Sequence, residues 1–259
     1  MSMKILVFMG RGGTGKTSFT ALAARYLIER GVSPILLVDA DPDQNLGEML
    51  GVDLEAEDKK TISDLLVETF LKEGGTTYGV PPVERIESRI WERGLYEGDE
   101  FDFLAIGTKW LDGCYCLPNA ALKEALGKMS KIYRYVLIDS PAGLEHLNRR
   151  ITSTIDDVFD LIDPSSKSAA HVARAYRVIR EVGIKFRNFY IVGGYRFTDR
   201  FEKIMVDRLI EGVRYVGRFT YDPTLEEFVL AGRPLFELPE DSPAYRSVRE
   251  IMSLTGHPS

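Results

Sequence analysis

The sequence predicts a doubly wound α/β fold on a mostly parallel sheet, and three observations carry that expectation. Short apolar runs recur at 4–9, 35–39, 101–107, 135–139, 158–163, 189–193 and 215–219, with the unbroken apolarity of strands covered on both faces. Between them, stretches such as 17–30, 166–181 and 200–211 repeat apolar residues every three or four positions, the spacing of helices that pack on a sheet. The first run leads directly into a glycine-rich loop, and an open sheet of this kind binds ligands beyond the carboxyl ends of its strands. With 259 residues, 44% of them hydrophobic, the chain can bury a full core, and no Pro/Gly/Ser-rich linker divides it. A single domain over 1–259 is therefore expected. Residues 52–100 interrupt the alternation with charged helical segments and the turn-rich Gly74-Gly75-Thr76-Thr77-Tyr78-Gly79-Val80-Pro81-Pro82, which reads as a helical insertion capping the site.

After the first strand comes Gly10-Arg11-Gly12-Gly13-Thr14-Gly15-Lys16-Thr17-Ser18, which contains the pattern G-x-x-x-x-G-K-S/T between a strand and a helix. Its glycines let the backbone curl until N–H groups converge on phosphate oxygens, and the following helix adds the positive end of its dipole. Lys16 is placed to reach the β and γ phosphates and the Thr17 hydroxyl to ligate Mg²⁺, so residues 10–18 are expected to form the P-loop of a nucleoside triphosphatase.

The second strand ends in Val38-Asp39-Ala40-Asp41-Pro42, with two carboxylates at i and i+2 on a loop facing the P-loop. A carboxylate there can orient or deprotonate the water that attacks a γ phosphorus, or hold a water of the Mg²⁺ shell. The plainer reading is a polar loop that caps the next helix. Beyond the third strand lies Gly113-Cys114-Tyr115-Cys116, which holds both cysteines of the chain. Their one-residue spacing suits chelation better than a disulfide. Two copies meeting at a dimer axis would supply four thiolates, a closed site for Zn²⁺, Ni²⁺ or another thiophilic ion. With no ligand, the pair is two small hydrophobes. The fourth strand closes with Val136-Leu137-Ile138-Asp139-Ser140-Pro141-Ala142-Gly143, an acid in the position of a Walker B carboxylate. Asp139 should reach Mg²⁺ through water, and the Gly143 amide is placed to sense the γ phosphate, so that hydrolysis would move residues 141–150.

The net charge of −6 gives no general attraction to DNA or to an anionic membrane, so neither is an expected partner. No apolar run approaches the roughly 20 residues that span a bilayer, and the candidate helix 244–254 lacks the basic and bulky apolar faces of an interfacial anchor. The first strand begins at Lys4, which leaves no room for a signal peptide, and a cytoplasmic protein is expected. His171 and His257 carry no signal in their surroundings.

Together, Gly-Arg-Gly-Gly-Thr-Gly-Lys-Thr, Asp-Ala-Asp-Pro and Asp-Ser-Pro-Ala-Gly resemble the deviant Walker A ATPases, the group of MinD, the ParA partition ATPases and nitrogenase iron protein. The resemblance implies ATP hydrolysis in a homodimer whose protomers sandwich two ATP molecules. It also implies a lysine early in the loop that crosses to the partner's phosphates. The matching position here is Arg11, a departure that keeps the charge and changes its shape. By the same resemblance Asp41 positions the attacking water and Asp39 lies nearer the magnesium shell. The asparagine that usually selects adenine is missing from Ile191-Val192-Gly193-Gly194-Tyr195-Arg196, and Tyr221-Asp222-Pro223 falls in a second segment that often borders the base.

The pair Cys114 and Cys116, joined with Gly143-Leu144-Glu145-His146-Leu147, narrows the resemblance to the CooC-type carbon monoxide dehydrogenase maturation ATPases over residues 3–254. That subfamily implies ATP hydrolysis driving nickel insertion into carbon monoxide dehydrogenase or acetyl-CoA synthase, with nickel, or zinc in its place, on the paired cysteines. The alternative is a MinD/ParA-like regulatory switch without metal transfer.

Overall fold

The computed structural model describes residues 3–69, 82–108, 123–125, 127–129, 132–141 and 154–258. Its elements run β1 (Lys4–Gly10), α1 (Lys16–Glu29), β2 (Ile35–Asp39), α2 (Asn45–Leu50), α3 (Ile62–Val67), α4 (Pro82–Arg89) and a π-turn at Ile90–Gly94. They continue with β3 (Tyr96–Glu97), β4 (Asp102–Ala105), β5 (Tyr135–Asp139), β6 (Thr154–Ile162), α5 (Ser168–Glu181) and β7 (Lys185–Gly193). The chain ends in α6 (Asp199–Val206), β8 (Arg214–Arg218), α7 (Pro223–Leu230), a 3₁₀ turn at Leu235–Glu237 and α8 (Pro243–Leu254). The strands form one sheet in the order β3-β4-β2-β5-β1-β6-β7-β8. All neighbours are parallel except β3, which pairs antiparallel with β4 through Tyr96 and Phe103. This is the doubly wound α/β architecture that the alternation of runs predicts.

Each central strand sends alternate side chains into two separate cores, which is why its sequence reads as continuously apolar. On one face Leu6, Phe8, Leu137 and Phe159 pack against α1 and α8, with the Phe8 and Phe159 rings stacked at 5.2 Å. On the other, Val7, Val38, Leu104, Ile138, Val158 and Ile191 meet α3, the π-turn and α5. The helix starts are explicit in the sequence. Ser242 and Asp222 accept the N–H groups of Tyr245 and Thr224, and a proline follows each at the first helical position.

The differences from expectation have local causes. Strands β6 and β7 each begin four residues before the apolar runs, at Thr154 and Lys185. Their first halves alternate in exposure, as in Lys185-Phe186-Arg187-Asn188, and continuous apolarity marks only the buried halves. Helix α6 stops at Val206, short of 211, because Arg208 and Leu209 turn their N–H groups back onto Met205 and Val206, three residues away. The segment 52–100, read as a helical insertion over the site, is helical in much of its described part but also contributes β3. Its Ile62, Leu65, Leu66, Ile86, Ile90 and Leu95 fill the core on one sheet face beside Val38, Leu104 and Ile106.

Candidate active site

The register brings three functional segments together at the carboxyl edge of the sheet. Strand β1 lies between β5 and β6, with Phe8 opposite Asp139 and Gly10 opposite Leu161. Strand β2 lies on the far side of β5, with Asp39 opposite Asp139. The loop after β1 therefore emerges beside both aspartates. Gly10 has φ +145°, and a Cβ there would lie 2.1 Å from the Leu161 carbonyl oxygen, so the exit from β1 admits glycine alone. Thr14 Oγ1 donates to the Arg11 carbonyl at 2.8 Å and closes the turn. Gly15 enters α1 in the left-handed region without a side-chain cap, and the first turn of α1 holds no acid. The helix thus presents its first N–H groups and the positive end of its dipole to an anion.

Lys16 is 7% exposed, and its ammonium lies 3.2 Å from Asp139 Oδ1 and 3.4 Å from Asp41 Oδ2. Thr17 Oγ1 donates to Asp139 Oδ2 at 2.8 Å, and Thr20 Oγ1 stands 3.3 Å from the other oxygen. Burial pushes the Asp139 carboxyl above its ordinary pKa, and the Lys16 charge and the Thr17 hydrogen bond oppose that shift. Asp39 is fully buried. Its two oxygens accept the backbone N–H groups of Asp41 at 3.0 Å and Leu46 at 2.9 Å, so it fixes the loop that aims Asp41 at Lys16. Burial, then the neighbouring Asp139 charge, raise the Asp39 pKa to about 7 against those two hydrogen bonds.

A family model described as an AAA domain, AAA_31, matches residues 2–189. The chain belongs to this family. An uncharacterised ATP-binding protein of Methanocaldococcus jannaschii is 34% identical over 95% of this chain and 96% of its own length. The carbon monoxide dehydrogenase accessory protein CooC of Rhodospirillum rubrum is 31% identical over 71% of each chain. Among solved structures, the MinD cell division protein of Aquifex aeolicus superposes with a TM-score of 0.68 at 24% identity, covering 97% of this chain and 95% of that one. The fold is that of the MinD and ParA-type P-loop proteins, and the AAA_31 chain is an ATP-binding P-loop ATPase.

The remaining expected residues of this AAA_31 ATPase fall as follows. Arg11 does not face Lys16. Its Nη1 donates to Asp163 Oδ1 at 2.8 Å and to Ser165 Oγ at 3.1 Å, at the corner between β6 and α5. Ser18 is buried, and its hydroxyl points to Met49 Sδ at 3.6 Å. Tyr195 and Phe219 flank the P-loop, 3.5 Å and 2.8 Å from where a Cβ on Gly15 would stand. Tyr195 and Tyr221 place their ring centroids 6.4 Å apart on that side. Asp222, from the segment expected to border the base, is buried and caps α7. Gly12 and Gly13 are exposed on the loop. Gly143, Cys114, Cys116, Glu145 and His146 lie outside the described residues. Among the described residues no group of three or more His, Cys, Asp or Glu is arranged to hold a metal ion, and no helix is long and apolar enough to cross a membrane.

Sequence reasoning misses Asp163, although the run 158–163 ends in an aspartate just as the runs before Asp41 and Ser140 do. It also passes over His257, which is 3% exposed. The His257 Nε2 lies 2.9 Å from Asp157, its Nδ1 lies 3.2 Å from the Tyr135 hydroxyl, and its carbonyl accepts from Tyr26. Those contacts pin the end of α8 to the sheet and make this histidine structural.

Proposed function

We propose that this ATPase is an ATP-dependent maturation factor that carries nickel to carbon monoxide dehydrogenase or acetyl-CoA synthase. The supporting observation is the likeness to CooC, together with the Cys114-Tyr115-Cys116 motif that gives a second copy of the chain a matching thiolate pair. In this reading ATP brings two protomers together and Cys114 and Cys116 of each take the nickel ion as cargo. Zn²⁺ can substitute there on softness grounds.

The site residues divide the hydrolytic work. The P-loop backbone and Lys16 hold the phosphates, and Lys16 reaches them by exchanging part of its contact with Asp41 and Asp139. Mg²⁺ fits the Thr17 hydroxyl and the Asp139 carboxylate, and when bound it would neutralise phosphate charge as the γ group leaves. Asp41, aimed by Asp39, orients the attacking water. Gly143 senses the γ phosphate, and Arg11 reaches the phosphates of the partner's nucleotide.

The fold shared with MinD supports one alternative, a MinD/ParA-like regulatory switch without metal transfer. Anaerobic Ni²⁺ binding with simultaneous light-scattering mass separates the two. The maturation reading expects one tight nickel per dimer in the wild type and none in Cys114→Ala/Cys116→Ala. Equal, weak binding by both proteins would remove the cysteine site and leave the regulatory switch.

A further inference from the structure

We propose that Asp163 is a positioning residue for Arg11, binding one edge of the guanidinium so that its remaining donors are presented to the phosphate oxygens of a nucleotide on a second copy of this chain. The inference rests on the role for Arg11 given above.

The backbone of Arg11 is fixed first. Its N–H donates to the Leu161 carbonyl at 3.3 Å, and its own carbonyl accepts from Thr14 Oγ1 at 2.8 Å. The guanidinium is then held through a single nitrogen, Nη1, which bonds Asp163 Oδ1 and Ser165 Oγ. Among the described residues Nε and Nη2 have no partner, so most of the five-donor fork stays uncommitted.

Asp163 is itself set before Arg11 arrives. The fully buried Ser168 places its hydroxyl 2.6 Å from the Asp163 carbonyl and 3.0 Å from Oδ1, and Ser165 Oγ stands 3.4 Å from the same carboxylate oxygen. Burial alone would raise the Asp163 pKa, but the Ser168 bond and the Arg11 charge hold it below the ordinary carboxylate value. The carboxylate therefore stays ionised near neutrality and keeps its grip on the arginine.

Stability does not account for this arrangement. The two side chains are 39% and 34% exposed, and a pair so open to water adds little to folding. What a pre-set carboxylate does supply is direction. A free arginine must give up its rotamer freedom when it meets a phosphate, and one already tethered at Nη1 has surrendered most of it. Engagement through one nitrogen also leaves the edge suited to a phosphate available.

Steady-state ATPase kinetics on the full chain test this, comparing wild type, Asp163→Asn, Arg11→Ala and the double variant. Asp163→Asn should lower kcat about fivefold with little change in KM for ATP. Asp163→Glu, which restores the charge, should recover part of the loss. In the Arg11→Ala background Asp163→Asn should add nothing, because its effect runs through the arginine. A rise in kcat for Asp163→Asn would mean that the aspartate restrains Arg11, and would overturn the proposal. An additive loss in the double variant would assign Asp163 a role of its own and overturn it equally. If Arg11→Ala turns over normally, the arginine's role falls and Asp163 falls with it. If Arg11→Ala is slow and Asp163→Asn is not, the arginine's role stands and the Asp163 inference alone is lost.

Discussion

Alanine at Gly10 should damage this protein far more than alanine at Gly13, although both glycines belong to one loop and both have positive φ. At Gly10 the φ is +145°, a region that L side chains rarely enter, and the new Cβ would sit 2.1 Å from the Leu161 oxygen and 2.9 Å from its carbonyl carbon. The obstacle is backbone at the last pair of the β1–β6 register, where Gly10 faces Leu161. No side-chain rotation relieves it. Strain of about 1–3 kcal/mol from the backbone conformation adds to about 1–3 kcal/mol from forcing two strands apart. At Gly13 the φ is +74° and nothing stands within 4 Å of the added Cβ. The cost there is the left-handed conformation alone, about 1–2 kcal/mol. Urea unfolding of the two variants against wild type reads the difference directly, as a midpoint shift at unchanged slope. Gly10→Ala should lose at least about 1 kcal/mol more than Gly13→Ala, and soluble Gly13→Ala should remain folded. Equal losses, or a milder effect at Gly10, would refute the reasoning that the β1 exit is closed by the Leu161 backbone.

Two further outcomes follow from the aspartates. Asp41→Ala should bind ATP as wild type does while turnover falls about a hundredfold or more, since it removes the carboxylate proposed to orient the water and leaves Lys16 paired to Asp139; normal turnover in a phosphate-release assay would exclude Asp41 from that role. Asp39 has its folded pKa raised from 3.8 to about 7, so the folded state holds a proton that the unfolded state releases, and stability from this group is full below pH 3.8 and is lost as pH rises towards 7. The wild-type unfolding free energy should therefore decline across pH 5 to 7, by at most about 1.4 kcal/mol per pH unit from this group, and Asp39→Asn should flatten the slope. A parallel slope in the two proteins would show that Asp39 is ionised throughout.

The parts of this fold that sequence makes legible are those where one physical cause acts alone. Continuous apolar runs reveal β1, β2 and β5 because these strands are central and covered on both faces. The P-loop is legible because a strand, a set of glycines and Lys16-Thr17 each serve one purpose in one place. Legibility fails where causes mix. The outer halves of β6 and β7 are partly exposed, so their polar residues read as the end of a strand rather than its beginning. Strand β3 is two residues long and owes its pairing to β4, which no local pattern encodes. His257 looks featureless in sequence because its partners, Asp157 and Tyr135, are 100 and 122 positions away.

The same limit explains the aspartates that end three strands or the turns just beyond them. Asp39, Asp139 and Asp163 are one residue type at nearly one level of the sheet, each where an apolar run meets its loop. Their partners separate them. Asp39 meets only backbone N–H groups, which makes it part of the loop's framework. Asp139 meets an ammonium and a hydroxyl that also belong to the phosphate site, so any nucleotide that draws Lys16 and Thr17 away must change its surroundings. Asp163 meets a guanidinium that leaves its own phosphate site altogether. Asp39 and Asp139 are neighbours in register, so the Asp139 charge adds to the rise at Asp39, while the Lys16 charge opposes the rise that burial causes at Asp139. A lysine that moves towards phosphate must give up part of its contact with both Asp139 and Asp41. Asp41 shares Lys16 with Asp139, so the carboxylate proposed to orient the attacking water loses a cationic partner when the lysine turns to phosphate.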